Sequence, residues 1–549
     1  MPQTQPKYPE QKPDRRRRNK SRPNASDRRA TPRYHSDFPV TICENNNGKE
    51  IIASGIARDV SDGGMFIEMQ NADGISLGAD IKIKFIVPNT TMPEQYIHGR
   101  LEVDAKVVEA DQERNVVRIN FKESMSKRLS RRAWRYLRIG ATFTFVIAVV
   151  LIVLTKVQNI YFFWFDIPVF LYSICVGSYL VSRFLFAAFY RTPKPQAQAR
   201  PLPTVTLVIP VYNEEDLVKR TLTYALEVAY PKDKIEFIAV NDGSKDGSLA
   251  AIEEFRKDYP ELVVINLEKN HGKRYALAAG ARIAKGDIIA FMDSDSFLKP
   301  DAIENLMQGF ADPKVAAVSG HCEVENQWTN FLTKMQTVRY YVGFRIMKGA
   351  ESVFDSVTCL SGPLSAYRKE IVMEFIDDWV NQKFLGRPAT FGDDRSLTNF
   401  ILKKHRVIYD SRAVTTTFVP ENYSQFFRQQ ARWKRSWFRE SLRAAAFMWR
   451  KQPLMSISFY LGFILPVLGP AVVLRAMLYM PIFHSVTPLN YIAGIALMSC
   501  LMCSAYLFAK KSRLWFYGIP FCFFYMFLLI WQLPWAIATF WESDWGTRG

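Results

Sequence analysis

Three acidic strings carry the residues best suited to chemistry. Asn213-Glu214-Glu215 follows Ile209-Pro210-Val211-Tyr212, Asp242 sits in Val240-Asn241-Asp242-Gly243-Ser244, and Asp293-Ser294-Asp295 ends a third apolar run. Each string follows a run that reads as a strand, and open α/β sheets bind ligands at the carboxyl ends of strands. One aspartate at such a place is ordinarily a turn or helix cap. Carboxylates presented to one edge by several strand ends make a site the better reading. They repel a diphosphate directly, but they can hold Mg²⁺ or Mn²⁺, which neutralises a departing diphosphate. Asp295 is the expected metal ligand with Asp293 beside it, and Asp242 is expected to meet the uracil or ribose of a nucleotide.

Gly392-Asp393-Asp394-Arg395 supplies a candidate base. A hydroxyl attacking an anomeric carbon must lose its proton, and a carboxylate can take it. Asp394 is the candidate, with Asp393 next to it; alone, the pair reads better as a helix N-cap. Gln429-Gln430-Ala431-Arg432-Trp433 adds a guanidinium that can grip diphosphate oxygens. Trp433 offers a flat face for a sugar ring. The structural alternative for this string is an Arg/Trp anchor at a bilayer surface.

The elements around these strings follow from periodicity. Thr204–Pro210, Ile235–Asn241, Leu262–Leu267 and Asp287–Asp293 read as strands, and Glu215–Val228 and Lys273–Ile283 as helices. Such alternation predicts a parallel sheet wound by helices. Tyr423–Arg450 is amphipathic and rich in Arg, Phe and Trp, as a helix lying in a membrane interface is. Apolar runs at Ile139–Thr155, Ile167–Tyr190, Leu454–Met477, Tyr491–Ala509 and Trp515–Trp541 predict membrane segments. Basic flanks at Lys127–Arg138 and at Arg191 and Lys194 put both ends of a 139–190 hairpin in the cytoplasm. Lys510, Lys511 and Arg513 place the loop before the last run there as well. Simple counting then leaves the C-terminus outside, unless Pro534 marks a broken or re-entrant element that returns inward.

A chain of 549 residues, 48% hydrophobic and 23% charged, suits soluble lobes joined to membrane spans. Its net charge of +18 is concentrated in a basic tail at 1–26, read as disordered and without a signal peptide, and in the membrane flank. Nucleic acid is not an expected partner. The seven cysteines are scattered, and Cys500-x-x-Cys503 lacks the further ligands of a zinc site. Residues 27–125 show short alternating strands, among them Val40–Ile42, Gly64–Glu68, Ile81–Ile86, Leu101–Val108 and Val116–Phe121. Turns separate them, and a small β-barrel is expected.

The set Asp242, Asp293-Ser294-Asp295, Asp394 and Gln429–Trp433 resembles the D, DxD, D, QxxRW signature of processive family 2 glycosyltransferases, over about residues 203–440. Asn270-His271-Gly272-Lys273-Arg274, Ser361-Gly362-Pro363-Leu364-Ser365, Gly392–Arg395, Gln429–Glu440 and the tail Trp545-Gly546-Thr547-Arg548 are similar to hyaluronan synthases and the related chitooligosaccharide synthases. The resemblance implies a GT-A catalytic domain at 200–420, interface helices at 421–450, a membrane region at 454–541 and a gating-loop-like tail at 542–549. It implies donor contacts from Tyr212, Asn213, Glu214, Asp242, Lys273, Asp293, Gln429 and Arg432. It places Trp433 at the acceptor and has Trp545 and Arg548 close over the donor.

Arg28-Arg29-Ala30-Thr31-Pro32-Arg33 and Asp59-Val60-Ser61-Asp62-Gly63-Gly64 together resemble the RxxxR and (D/N)xSxxG motifs of PilZ domains, which bind cyclic di-GMP. Arg28, Arg29 and Arg33 suit phosphates and guanine faces. Asp59 and Ser61 suit guanine edges, and Gly64 allows close approach. The combined expectation is an inverting, processive transferase of a bacterial inner membrane, its barrel and catalytic domains cytoplasmic. It would polymerise an extracellular polysaccharide from a UDP-sugar and be activated by cyclic di-GMP, with further secretion subunits as candidate partners. Two alternatives stand: a non-processive transferase acting on a lipid carrier, and a cyclic di-GMP receptor with an inactive transferase domain.

Overall fold

The computed structural model describes residues 33–44, 51–86 and 100–123 apart from turn residues at 62, 71–74 and 113, scattered positions between 139 and 150, residues 167–193, and residues 202–542 apart from Val486 and Lys511. The chain divides into two compact units, 1–135 and 136–549.

The first unit is a closed antiparallel barrel. Its strands are β1 (Arg33–Glu44), β2 (Ile51–Ser61), β3 (Gly64–Met69), β4 (Asp80–Ile86), β5 (Arg100–Asp111) and β6 (Val116–Phe121), in the order β1-β2-β3-β6-β5-β4. Alternation drives it: Val40 and Ile42, Ile81, Ile83 and Phe85, Leu101, Val103 and Ala105, and Val117, Ile119 and Phe121 all point into one buried core. Closure leaves no unpaired edge. The string Asp59–Gly64 ends β2 and, at Gly64, begins β3.

The second unit holds an eight-stranded sheet of order β11-β16-β12-β13-β10-β7-β8-β9. The strands are β7 (Val205–Val211), β8 (Ile235–Asp242), β9 (Leu262–Leu267), β10 (Ile288–Phe291), β11 (Ser296–Leu298), β12 (Val315–Val324), β13 (Ser365–Arg368) and β16 (Arg406–Thr417); β14 (Lys383–Phe384) and β15 (Arg387–Pro388) form a separate hairpin. The strands β10, β7, β8 and β9 are mutually parallel. The sheet as a whole is mixed rather than parallel, because β13 runs antiparallel between β10 and β12. Every residue of β7 is buried, as in a strand covered by helices on both faces. Two apolar clusters pack on those faces.

Among the described residues, two helices, Ile167–Phe189 and Pro453–His484, are long and apolar enough to cross a membrane. A further apolar helix covers Leu489–Lys510. The expected first span, Ile139–Thr155, lies almost wholly outside the described residues. The last apolar run is broken: Arg513–Phe527 and Leu529–Ala538 are bent by 43°. At one end Tyr517 packs edge-on against Phe331, with ring centroids 5.5 Å apart. At the other, Arg435 donates to Thr539 Oγ1 at 3.0 and 2.9 Å and pairs with Glu542. Both ends therefore rest on helices that flank the sheet.

Residues 421–450 form one helix, Tyr423–Met448, rather than several. Its first turn is capped by Asn422, whose side chain accepts from Gln425 N at 2.8 Å. A second helical stretch was not foreseen. It runs from Phe331 through a π-helical segment, Val342–Lys348, to Ser352.

Candidate active site

The ends of β10, β7 and β8 lie side by side, so their following loops meet. Asp242 is the last residue of β8 and is 2% exposed. Its carboxylate accepts from His271 N and Gly272 N, both at 2.9 Å. Burial holds its pKa above the ordinary range even though these donors favour the charged form. It thus clamps the Asn270–Lys273 loop as well as lining the site. Asn213, at φ +51°, accepts at Oδ1 from Lys245 N at 2.9 Å. Glu214 N donates to Ser248 Oγ at 2.7 Å. The Tyr212–Glu215 string is thereby laced to the loop after β8.

Lys273 opens the helix Lys273–Ile283 and points its ammonium at two carboxylates, Asp293 Oδ1 at 2.5 Å and Asp393 Oδ2 at 3.3 Å. Burial opposes the charge, yet Asp293 and Asp393 raise the lysine pKa above its usual value. The backbone at Gly362 crosses this pair. A β-carbon there would lie 2.7 Å from Asp293 Oδ2 and 2.8 Å from Lys273 Nζ, which explains the glycine of Ser361-Gly362-Pro363.

Gly392 adopts φ +77°, and a side chain there would also collide with Ser436 Oγ. The turn starts the helix Asp393–Leu402. The two aspartates at its head diverge in character. Asp393 is buried and Asp394 half-buried; Lys273 and then Arg274 pull Asp393 below the ordinary carboxyl range, whereas desolvation and the Asp393 charge push Asp394 above it. Two carboxylates with pKa values pushed apart are a recurrent acid–base arrangement. Asp394 Oδ2 also accepts from the Cys359 thiol at 3.4 Å. Burial raises that thiol to about 11, so it stays a protonated donor and not a nucleophile.

The helix Tyr423–Met448 brings Gln429, Arg432 and Trp433 to the same space. Arg339 lies 5.4 Å from the centroid of the Trp433 ring, and Tyr340 packs beside it at 6.3 Å. Lys348, buried, donates to Ser319 Oγ and Ser361 Oγ, each at 2.8 Å, and burial lowers its pKa to about 8. Sequence reasoning missed Arg339, Tyr340 and Lys348 because they belong to the unforeseen helix. The Arg339-Tyr340-Tyr341 string was the available signal.

One cavity of about 1310 Å³ gathers the described candidates: Tyr212, Asn213, Glu214, Asp242, Lys273, Asp293, Asp295, Asp393, Asp394, Gln429, Arg432 and Trp433. It continues to Gly462 and Pro466 of the Pro453 helix and to Tyr525 and Leu533 of the bent pair. Trp545 and Arg548 lie outside the described residues. Among the described residues no group of three or more His, Cys, Asp and Glu could hold a metal alone. Asp293 and Asp295 still fit one. Mg²⁺-type sites take one or two carboxylates and complete the shell with water and substrate phosphate oxygens. Asp295 Oδ1 meets Thr417 Oγ1 at 3.4 Å.

In the barrel, strand register brings Arg33, the one described residue of the arginine motif, beside the Asp59–Gly64 motif. Arg33 is the Cα partner of Ser61, and His35 of Asp59. Ser61 Oγ donates to Gly64 O at 3.2 Å. Gly64 is required by its neighbour, since a β-carbon would strike Ile119 O. Close packing of β3 on β6 therefore accounts for this glycine without a ligand. Arg28 and Arg29 lie outside the described residues.

An acidic cleft at the strand ends of a mixed α/β sheet, joined to apolar helices, is what this fold and cavity define. The family model for glycosyl transferase family 2 matches residues 206–376, and that for the PilZ domain matches residues 27–138. The chain is 34% identical to hyaluronan synthase of Streptococcus pyogenes over 282 residues, 50% of this chain and 65% of that protein's length. It is 32% identical to an N-acetylglucosaminyltransferase of Mesorhizobium japonicum over 360 residues, covering 63% of this chain and 82% of the relative. Among solved structures, a mannosyltransferase from Pyrobaculum calidifontis in complex with GDP-Man and Mn²⁺ aligns at 22% identity and a TM-score of 0.46, over 62% of this chain and 97% of that one. The chain belongs to glycosyl transferase family 2, with a PilZ domain preceding the transferase domain.

Proposed function

We propose that this protein is a membrane-embedded, inverting hexosyltransferase that polymerises a polysaccharide from a UDP-sugar and passes the chain across the membrane. One observation carries the reading: the cavity that holds the donor and base candidates runs on, without interruption, between apolar helices at Gly462, Pro466, Tyr525 and Leu533. A non-processive enzyme has no need of that continuation. Asp242 and the Tyr212–Glu214 loop take the nucleotide, and Arg432 and Lys273 face its diphosphate. Asp293 and Asp295 would hold Mg²⁺ or Mn²⁺, which supplies positive charge for the leaving diphosphate.

Asp394 takes the proton of the acceptor hydroxyl. That oxygen forms a bond to the anomeric carbon as the bond to the diphosphate breaks, and UDP leaves with the electron pair. Trp433 supports the acceptor ring. The bent pair 513–538 is read as re-entrant, which keeps Glu542 beside Arg435 on the catalytic side; Trp545 and Arg548, outside the described residues, are donor-contact candidates by the family resemblance alone. The hyaluronan synthase-like motifs favour UDP-GlcNAc, alone or with UDP-glucuronic acid, as donor, with UDP-glucose and GDP-mannuronate as the alternatives. Cyclic di-GMP binds the barrel at the Arg29–Arg33 and Asp59–Gly64 strings and activates the transferase.

Purified full-length protein, given a panel of nucleotide sugars with Mn²⁺, tests the reading through nucleotide release and product size. Long polymer is expected from one donor or donor pair. Single-sugar transfer to a lipid carrier would replace it with the non-processive alternative.

A further inference from the structure

The hairpin leading into Gly392-Asp393-Asp394 carries an apolar residue where a tight turn disfavours one. Lys383 pairs with Pro388 and Phe384 with Arg387, which leaves Leu385-Gly386 as the turn. Both turn residues are left-handed, at φ +48° and +80°. Two-residue hairpins of this form select Asn-Gly or Asp-Gly, because only short polar side chains and glycine accept positive φ readily. Leu385 is also 75% exposed, more than any other large hydrophobic residue among those described. A strained, water-facing leucine contributes nothing to the fold, and such outliers point to function.

The surroundings identify what covers it. Phe384 packs edge-on against Phe540, with centroids 5.6 Å apart, and Phe540 adjoins Trp541. Trp535, in the last turns of the bent apolar pair, and Trp541, three residues past its end, are 60% and 49% exposed. Tryptophans at the ends of apolar segments sit at headgroup level. Arg443 of the Tyr423–Met448 helix binds the Lys383 carbonyl, tying the hairpin to that same layer. Lys383 and Arg387 flank the tip, both exposed and without an ion pair among the described residues.

We propose that this hairpin is a membrane finger. Leu385 enters the boundary between headgroups and acyl chains of the leaflet that faces the catalytic unit, and Lys383 and Arg387 contact the phosphates of acidic phospholipids. The contact reaches the candidate base. Gln382 at the hairpin foot accepts from Ser396 Oγ at 2.5 Å and donates to Glu440. It thereby fixes the helix that begins at Asp393 against the interface helix.

The full chain in nanodiscs tests this. Leu385→Cys carrying an environment-sensitive dye is compared with labelled wild-type protein, which reports any labelling of the native cysteines. Emission should shift to the blue, be quenched by spin-labelled lipid and resist aqueous iodide. The shift should shrink when phosphatidylglycerol is replaced by phosphatidylcholine, or when Lys383→Gln and Arg387→Gln are combined. Leu385→Asn separates structure from contact, since asparagine relieves the turn. Its melting temperature in detergent should hold or rise, while its turnover in phosphatidylglycerol nanodiscs falls several-fold. A water-like, iodide-quenched label, or full turnover of Leu385→Asn in nanodiscs, would overturn the proposal.

Discussion

The ammonium of Lys273 lies 2.5 Å from Asp293 Oδ1, so the cation that opens one helix is held by the carboxylate at the end of a neighbouring strand. The same nitrogen reaches Asp393 at 3.3 Å. The candidate donor loop, metal string and base turn are thus tied at one point. Lys273→Met should leave two carboxylates facing one another uncompensated. UDP affinity, measured by calorimetry, should fall at least about tenfold, a change of ~1.4 kcal/mol. Unchanged affinity would remove Lys273 from the donor site.

The paired aspartates give a prediction with a definite sign. The base acts only when ionised, so activity drops as pH falls through its pKa. Burial and the neighbouring Asp393 charge raise that pKa. Asp393→Asn removes the like charge, so the acid limb of kcat/KM should move to lower pH. Asp394→Asn should cost about 10²–10⁴ in turnover while UDP still binds. A limb that does not move, together with a fast Asp394→Asn enzyme, would put the base elsewhere.

Metal dependence should follow Asp295. UDP titrations with and without Mn²⁺ are expected to differ for the wild type and to coincide for Asp295→Ala, because the diphosphate charge has lost its bridge. A variant that keeps the full Mn²⁺ response would transfer the ligand role to other oxygens.

Gly362→Ala places a methyl group against Asp293 and Lys273. Overpacking of this kind costs about 1–3 kcal/mol locally, and here the displaced atoms are those of the site. Turnover should collapse with only a small loss in melting temperature. Wild-type turnover would mean that the Ser361–Pro363 loop yields without disturbing the charged pair.

The proposed cyclic di-GMP control is assigned to Arg29 and Arg33. Arg29→Ala combined with Arg33→Ala should abolish ligand-stimulated polymerisation, since charge-assisted contacts to phosphate are worth about 1.5–3 kcal/mol each. Calorimetry on the full chain, run beside activity assays, separates the outcomes. Binding without stimulation would keep the receptor and discard the switch.

The sequence by itself determined whatever depends on local pattern. Strict alternation made Ile81, Ile83 and Phe85 one face of a barrel strand, and β-branched runs ending in Asp242 and Asp293 marked strand ends. Aspartates and the Arg432-Trp433 pair announced themselves by residue type. Tertiary structure decided what depends on partners distant in the chain. It turned β13 antiparallel and so made the sheet mixed, since strand direction is set by sheet neighbours and not by the strand's own residues. It brought Arg339, Tyr340 and Lys348 into the cavity from a helix without a chemical motif. It also gave Asp393 and Asp394 opposite characters, although they are adjacent and identical in type. Burial, Lys273 and Arg274 are properties of the packed site, and only packing brings residues 273 and 393 within reach of one another.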